Sequence, residues 1–260
     1  MTLARRICAL VPCDDAGKPL HKLEKGGMEL DFIEAIANQL ANDGADEVWL
    51  RLDPAAKKGP NALYSPLAVL EKRTFVPVVA WANAPTPADA RLLLGFGADR
   101  VVVDVNLGLP DPLAFVARVV QTIGRDRVIA ALSVRRFVGD KGVVWELVDP
   151  AGQGTGVNAI VLAERLPAAG ACEILLVPSV PAPQSERRVH DGELIEQVSS
   201  LSSIPVLSAG DDRELADLAA PLLMGADGVV TSLFATGTPT VQAGKAALKE
   251  YGLALRPAEG

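Results

Sequence analysis

The sequence predicts one α/β domain over residues 1–260, a (β/α)8 or TIM barrel made of two half-barrel repeats with a β-hairpin inserted after strand five. Three observations carry this reading. A short phrase recurs four times, as Gly44-Ala45-Asp46-Glu47-Val48, Gly97-Ala98-Asp99-Arg100-Val101, Gly170-Ala171-Cys172-Glu173-Ile174 and Gly225-Ala226-Asp227-Gly228-Val229. Each copy ends a helical stretch and opens a β-branched run. A second phrase, Val76-Pro77-Val78, returns as Ile204-Pro205-Val206. Pro77 and Pro205, like Gly97 and Gly225, stand 128 residues apart, which marks a unit written twice. Finally, eight short apolar runs alternate with eight longer helical patterns.

The apolar runs cover 6–14, 46–53, 75–81, 99–105, 127–133, 173–178, 204–208 and 226–231. They are rich in Val, Ile and Leu without alternation, as strands buried on both faces must be. The helical patterns cover 28–43, 61–73, 86–96, 110–122, 157–168, 191–200, 211–223 and 238–250. Thr86-Pro87 and Asp111-Pro112 read as helix starts, with proline in the first turn, where no amide is needed. Gly44, Gly97, Gly170 and Gly225 fall where helices end in a left-handed residue. Residues 134–138, a Gly139-Asp140-Lys141-Gly142 turn and residues 143–148 read as the hairpin. It follows strand five, on the face where barrel enzymes do chemistry. An open doubly wound sheet is the alternative architecture, and the twofold repeat favours the closed ring.

The composition excludes several classes. A formal charge of −7 argues against a nucleic-acid footprint. No run of 18 apolar residues is present, so no membrane span is expected. Cys8, Cys13 and Cys172 match no zinc spacing and give no disulfide framework. Buried thiols in a reducing cytoplasm fit them better. With only His21 and His190 in the chain, no metal site is expected, and no cofactor motif stands out. Gly152-Gln153-Gly154-Thr155-Gly156 follows a hairpin strand instead of opening a βαβ unit, which removes it as a dinucleotide loop. Trp49 and Trp145 read as core and hairpin packing.

The C-terminal ends of the strands then carry any chemistry. Read in order they bring Asp14 and Asp15, Asp53, Trp81 with Asn83, Asp104 with Asn106, Ser133, Ser179, Ser208, and Thr231 with Ser232 to one mouth. Crowded carboxylates shift one another's pKa, which makes a general acid and a general base from one residue type. Capping of loop amides is the competing role for each of them.

Arg6-Ile7, the run Val11-Pro12-Cys13-Asp14-Asp15, the Gly-Ala-Asp repeats, Trp145 with the 152–156 segment, and Glu173-Ile174-Leu175-Leu176 together resemble the cyclase subunit of imidazole glycerol phosphate synthase, a histidine-biosynthesis (β/α)8 barrel, from about residue 5 to residue 252. The chain looks like a divergent paralogue. The resemblance implies two catalytic aspartates, at the ends of strands one and five. Asp15 matches the first, while Ser133 stands at the second, and a serine hydroxyl cannot replace a carboxylate in proton transfer. It also implies two phosphate grips. The glycine turn after strand three is replaced by Ala80-Trp81-Ala82-Asn83. After strand seven, Ser208-Ala209-Gly210 is followed by Asp211 and Asp212, which repel an anion. Gly210 and Ser232 still match. The aspartate-rich turn after strand six has become proline-rich, at 178–183. Glu47, Arg100 and Glu173, with Arg5 or Arg6, resemble the charge ring that in that family gates ammonia from a glutaminase partner. Pairing of buried charges explains the same residues structurally.

Three functions remain open at this stage. The first is a lyase, cyclase or isomerase acting on a small polar metabolite, with Asp15 as general base, Asp53 or Asp104 as second acid, and Trp81, Asn83, Asn106, Ser133, Gly210 and Ser232 around the substrate. The second is a non-catalytic barrel that binds a ligand or, through its floor, a protein partner. The third is a true synthase cyclase subunit.

Overall fold

The structure, a computed structural model, describes residues 4–25, 28–82, 86–105, 110–139, 142–179 and 189–257. The barrel elements are β1 (Arg6–Cys13), α1 (Ile33–Asn42), β2 (Glu47–Leu52), α2 (Tyr64–Leu70), β3 (Val78–Trp81), α3 (Pro87–Gly95), β4 (Arg100–Asp104), α4 (Pro112–Ile123), β5 (Val128–Gly139), α5 (Ala159–Ala169), β6 (Glu173–Pro178), α6 (Gly192–Leu201), β7 (Val206–Ala209), α7 (Leu215–Leu223), β8 (Gly228–Thr231) and α8 (Val241–Glu250). Consecutive strands pair in parallel. β8 then returns to β1 with Arg6 opposite Gly228, so the ring closes. The closed barrel expected from the sequence is the fold observed.

Closure gives each strand residue one of two environments. Ile7, Ala9 and Val11, like Val101 and Val103, face the helix shell and its continuous core. Cys8, Leu10, Trp49, Trp81, Val102 and Leu175 belong to a separate cluster that fills the lumen. Trp49 is fully buried there, and its ring meets Trp81 edge-on at 6.5 Å. Burying each such side chain contributes roughly 1.5–3 kcal/mol.

The recurring phrase does the same work in each copy. Gly44, Gly97, Gly170 and Gly225 have φ of 93°, 110°, 96° and 111°, the left-handed turn that lets the chain leave a helix and enter a strand. The aspartate two residues later ties down a neighbouring strand. The carboxylates of Asp46, Asp99 and Asp227 accept the amides of Ile7, Val78 and Val206 at 2.7, 2.7 and 2.9 Å. In the odd copy, the Cys172 thiol instead donates to the Val128 carbonyl at 3.1 Å. The proline-bearing starts are also as expected, since the Thr86 and Asp111 side chains accept the amides of Asp89 and Ala114.

The hairpin of residues 134–148 is present as the continuation of β5, paired antiparallel with Gly142–Val148. The glycine-rich segment adds a third strand, Gly154–Asn158, to it. Trp145 Nε1 donates to Asp191 at 2.7 Å and Arg136 reaches Glu193 at 2.7 Å, so the insert is bound to the start of α6.

Three boundaries differ from expectation. Residues 28–30, read as helix, form a short antiparallel ladder with Leu23–Lys25, and α1 begins only at Ile33. The 61–73 pattern divides into a 3-10 turn, Gly59–Leu63, and the short α2, because Pro60 and Pro66 offer no amide to a continuous ladder. Asp211 and Asp212 do not open the seventh helix. Asp217 accepts the amides of Arg213 and Glu214, and α7 starts at Leu215.

Four charges close the floor. Arg6 lies 2.8 Å from both Glu47 and Glu173, and Arg100 lies 2.6 and 2.9 Å from the same two carboxylates. Charges alternate round the ring. Trp49 Nε1 adds a donor to Glu47 at 2.9 Å. Burial pushes the Glu47 carboxyl up, but Arg100 and Arg6 outweigh it and leave the group below its ordinary value. Removing one member strands its partners in a dry floor, at a cost of about 3–5 kcal/mol. Glu47→Ala is therefore expected to lower the urea-unfolding free energy by about that amount. Glu34→Ala, which loses only an exposed contact with Arg73, leaves the midpoint nearly unchanged.

Candidate active site at the barrel mouth

Side-chain direction, set by strand parity, sorts the mouth residues. Asp104 ends β4 on the lumen side and is 7 % exposed. Trp81 Nε1 donates to its two oxygens at 3.2 and 3.3 Å. Burial raises the Asp104 carboxyl to about 6, against the opposing pull of the Trp81 hydrogen bond and the Arg51 charge. Arg51 projects from the top of β2, with its guanidinium carbon 3.9 Å above the Trp81 ring centroid. Asp104, Trp81 and Arg51 thus form one stacked, hydrogen-bonded unit. It combines a carboxyl able to exchange a proton near neutrality with a fixed cation.

The other expected acids have different duties. Asp15 is half-buried and accepts the Lys58 amide at 2.8 Å, joining the loops after β1 and β2. Asp53 accepts the Ala55 amide at 2.7 Å, and Asp14 the amides of Ala16 and Lys18. Of the four, Asp104 is the one held by the lumen residue Trp81, and at the end of β1 the lumen position belongs to Pro12, opposite Arg51. Ser133 lies opposite Val177, half-buried on the lumen side. Ser232 is half-buried at the turn after β8. Asn83 and Asn106 lie outside the described residues, as does most of the proline-rich segment, 180–188. Leu10, Arg51, Val177, Pro178, Ala209, Gly210 and Asp211 line a cleft of about 10 Å³ between the ends of β2, β6 and β7, enough for one water-sized group.

Ser208 and Thr231 face the helix shell instead of the lumen. Thr231 accepts the Leu233 amide. Ser208 meets His190, a residue the sequence reading did not select for the site. His190 Nδ1 lies 2.6 Å from Ser208 Oγ, and Nε2 lies 2.9 Å from Asp212 Oδ1. A carboxylate only accepts, so Nε2 donates to Asp212 while Nδ1 pairs with the serine hydroxyl. The residue types are those of a hydrolase triad, but Ser208 is 1 % exposed, which bars a substrate from its hydroxyl. The His190 ring also sits where a Cβ on Gly210 would come within 2.8 Å. This trio fastens the start of α6 to the loop after β7. Among the described residues no cluster of His, Cys, Asp and Glu fits a metal ion, and no helix is long and apolar enough to cross a membrane.

Two measurements follow from this geometry. Asp104 holds its proton more tightly folded than unfolded, so its contribution is fully present below pH 3.8 and is lost as pH rises through about 6. That shift corresponds to about 3 kcal/mol. Chemical denaturation between pH 4 and 7 is expected to show this decline, and Asp104→Asn to remove it. His190→Ala strands the Ser208 hydroxyl and the Asp212 carboxylate, and is expected to cost about 1–3 kcal/mol in guanidinium unfolding.

Comparison with known proteins adds ancestry to this geometry. A family model described as histidine biosynthesis protein matches residues 24–238. The chain is 30 % identical over 268 aligned positions to imidazole glycerol phosphate synthase subunit HisF of Beutenbergia cavernae, covering 98 % of this chain and 100 % of that protein. The HisF subunit of Streptomyces griseus subsp. griseus is also 30 % identical, over 98 % of this chain and 100 % of the relative. That of Leifsonia xyli subsp. xyli is 28 % identical, over 95 % and 98 %. A match over most of the length, on a closed barrel with this half-barrel repeat, places the chain in the histidine biosynthesis protein family as a distant relative of HisF.

Proposed function

We propose that this barrel performs acid–base chemistry on a small polar metabolite at its mouth, as a lyase, cyclase or isomerase, and that Asp104 is the group that transfers the proton. The observation that carries this reading is the Asp104 carboxyl, held by Trp81 beside Arg51 and raised to about 6. An acid that titrates near the working pH populates both protonation states, which is the condition for efficient proton transfer. Asp15, half-exposed on the rim, serves as the second acid–base group.

The HisF relatives supply the ancestry, not the substrate. A barrel cradling two phosphates needs backbone approach at both turns. Here an indole occupies the end of β3, and Asp211 and Asp212 follow Gly210 after β7. The floor ring pairs its charges internally and Trp49 stands directly above it, so we assign the ring a structural role instead of one in admitting a partner's product. A second reading, a barrel that binds a ligand without turning it over, is favoured by the narrowness of the cleft.

The test is a screen of small polar metabolites for conversion, or for hydrogen–deuterium exchange at carbon, followed by mass spectrometry. Conversion is expected with the natural chain and a fall of roughly 10²–10⁴-fold in Asp104→Asn. Asp15→Asn is expected to reduce turnover. Conversion that survives Asp104→Asn unchanged would contradict the assignment. Stable binding without conversion would select the second reading.

A further inference from the structure

We infer that two copies of this chain associate through the outer face of α5 and the groove it forms with α4, as a twofold dimer in which Glu164 of each copy meets Arg165 of the other. The inference is independent of the catalytic reading, since this face lies on the helix shell and not in the lumen.

The two helices pack side by side, close enough at their C-terminal ends that a Cβ on Gly170 would come within 2.9 Å of Val120. Towards their N-terminal ends they part. Small side chains there leave an open groove of about 540 Å³, bordered by Leu113, Ala114, Ala117, Glu164, Arg165 and Ala168. The outer face of α5 continues this surface. Val161, Glu164, Arg165 and Ala168 recur at helical spacing and all four are exposed. Val161 is 53 % exposed. A solvent-facing stripe is ordinarily polar along its length. This one has two opposite charges at its centre and an apolar residue at each end.

That order is complementary to itself. Two α5 helices laid antiparallel across a twofold axis pair residues that run in opposite directions. With the axis between residues 164 and 165, Glu164 of one copy faces Arg165 of the other. The same register sets Val161 against Ala168, a bulky apolar side chain over a small one. An isologous contact requires this reciprocity, because each surface is its own partner. Alanines also allow the second helix to approach to the roughly 8–10 Å of packed helices.

Charge points to the same occupant. Among the described residues neither the Glu164 nor the Arg165 side chain has a hydrogen-bond or ion-pair partner, so both are available between copies. The whole chain carries a formal charge of −7 and repels its own kind. On α4 and α5, however, the charged side chains are Arg118, Glu164 and Arg165 alone. Two copies can therefore meet on this face without bringing excess acidic groups together. A strongly acidic or strongly basic partner finds no matching field on a face of mixed sign.

Sedimentation velocity from about 1 µM to about 1 mM is the test. A monomer–dimer equilibrium is expected, weakened by salt because the ion pairs are exposed. Glu164→Arg and Arg165→Glu each create two like-charge contacts per dimer, and each is expected to weaken association at least about tenfold. An equimolar mixture of the two variants restores both opposite-charge pairs and is expected to dimerise as the natural chain does, a result that damage to the fold does not produce. Ala168→Gln fills the space that receives Val161 without adding charge, and is expected to weaken association by a similar factor. All three positions are exposed, so circular dichroism is expected to stay unchanged. A natural chain that remains monomeric throughout the range, a dimer indifferent to both charge reversals, or two variants that gain nothing on mixing would each overturn the inference. So would a different protein seated on this face while the natural chain stays monomeric.

Discussion

Eight parallel strands closed on themselves leave a side chain only two destinations, the helix shell or the lumen, and that constraint organises everything else in this molecule. Parity along β2 sends Glu47, Trp49 and Arg51 inward in succession, and along β4 it does the same for Arg100, Val102 and Asp104. These two strands therefore build from a charged floor, through an apolar middle, to a charged mouth. The two charged layers have opposite characters. At the floor every cation meets two anions and the layer is neutral. At the mouth one cation stacks on an indole, whose nitrogen is committed to an acid that prefers its proton. The first arrangement is a structural closure. The second has a protonation state that remains adjustable near neutral pH, which is what chemistry requires.

The repeat scaffold and the rim are held by different kinds of contact. The backbone scaffold of the repeat is intact, with glycines that turn and aspartates that tie strand to strand. The rim carries Trp81 at the end of β3 and a His190–Ser208–Asp212 fastening beside Gly210. Charge pairing closes the floor, and hydrogen bonding of Asp104 and of His190 fixes the rim, so changes at either end are felt in stability.

Much of the fold was legible in the residues because its signals are local. A left-handed glycine, a proline after a threonine or aspartate, and an unalternating apolar run each have one cheap structural solution. The exceptions are instructive: residues 28–30 became a ladder and α7 began late, since hydrogen bonds to Asp217 compete with the helical pattern there. The site was less legible. The strand ends and the family resemblance pointed first to Asp15, with Asp53 or Asp104 as the second acid, whereas Asp104 is the one held by Trp81 and Asp15 and Asp53 accept loop amides. Counting parity from Glu47 identifies Arg51 as a lumen residue, a signal carried by the strand itself. His190 carries no such signal, because its partners Ser208 and Asp212 come from a distant segment of the chain.

The central claim is that one buried carboxyl at the mouth exchanges its proton near neutrality. The most direct measurement is a ¹³C NMR titration of the aspartate side-chain carboxyls, with Asp104→Asn for assignment. The account predicts a resonance, missing in that variant, with a midpoint near 6. An Asp104 resonance titrating near 4, the value of an unperturbed aspartate, would contradict it.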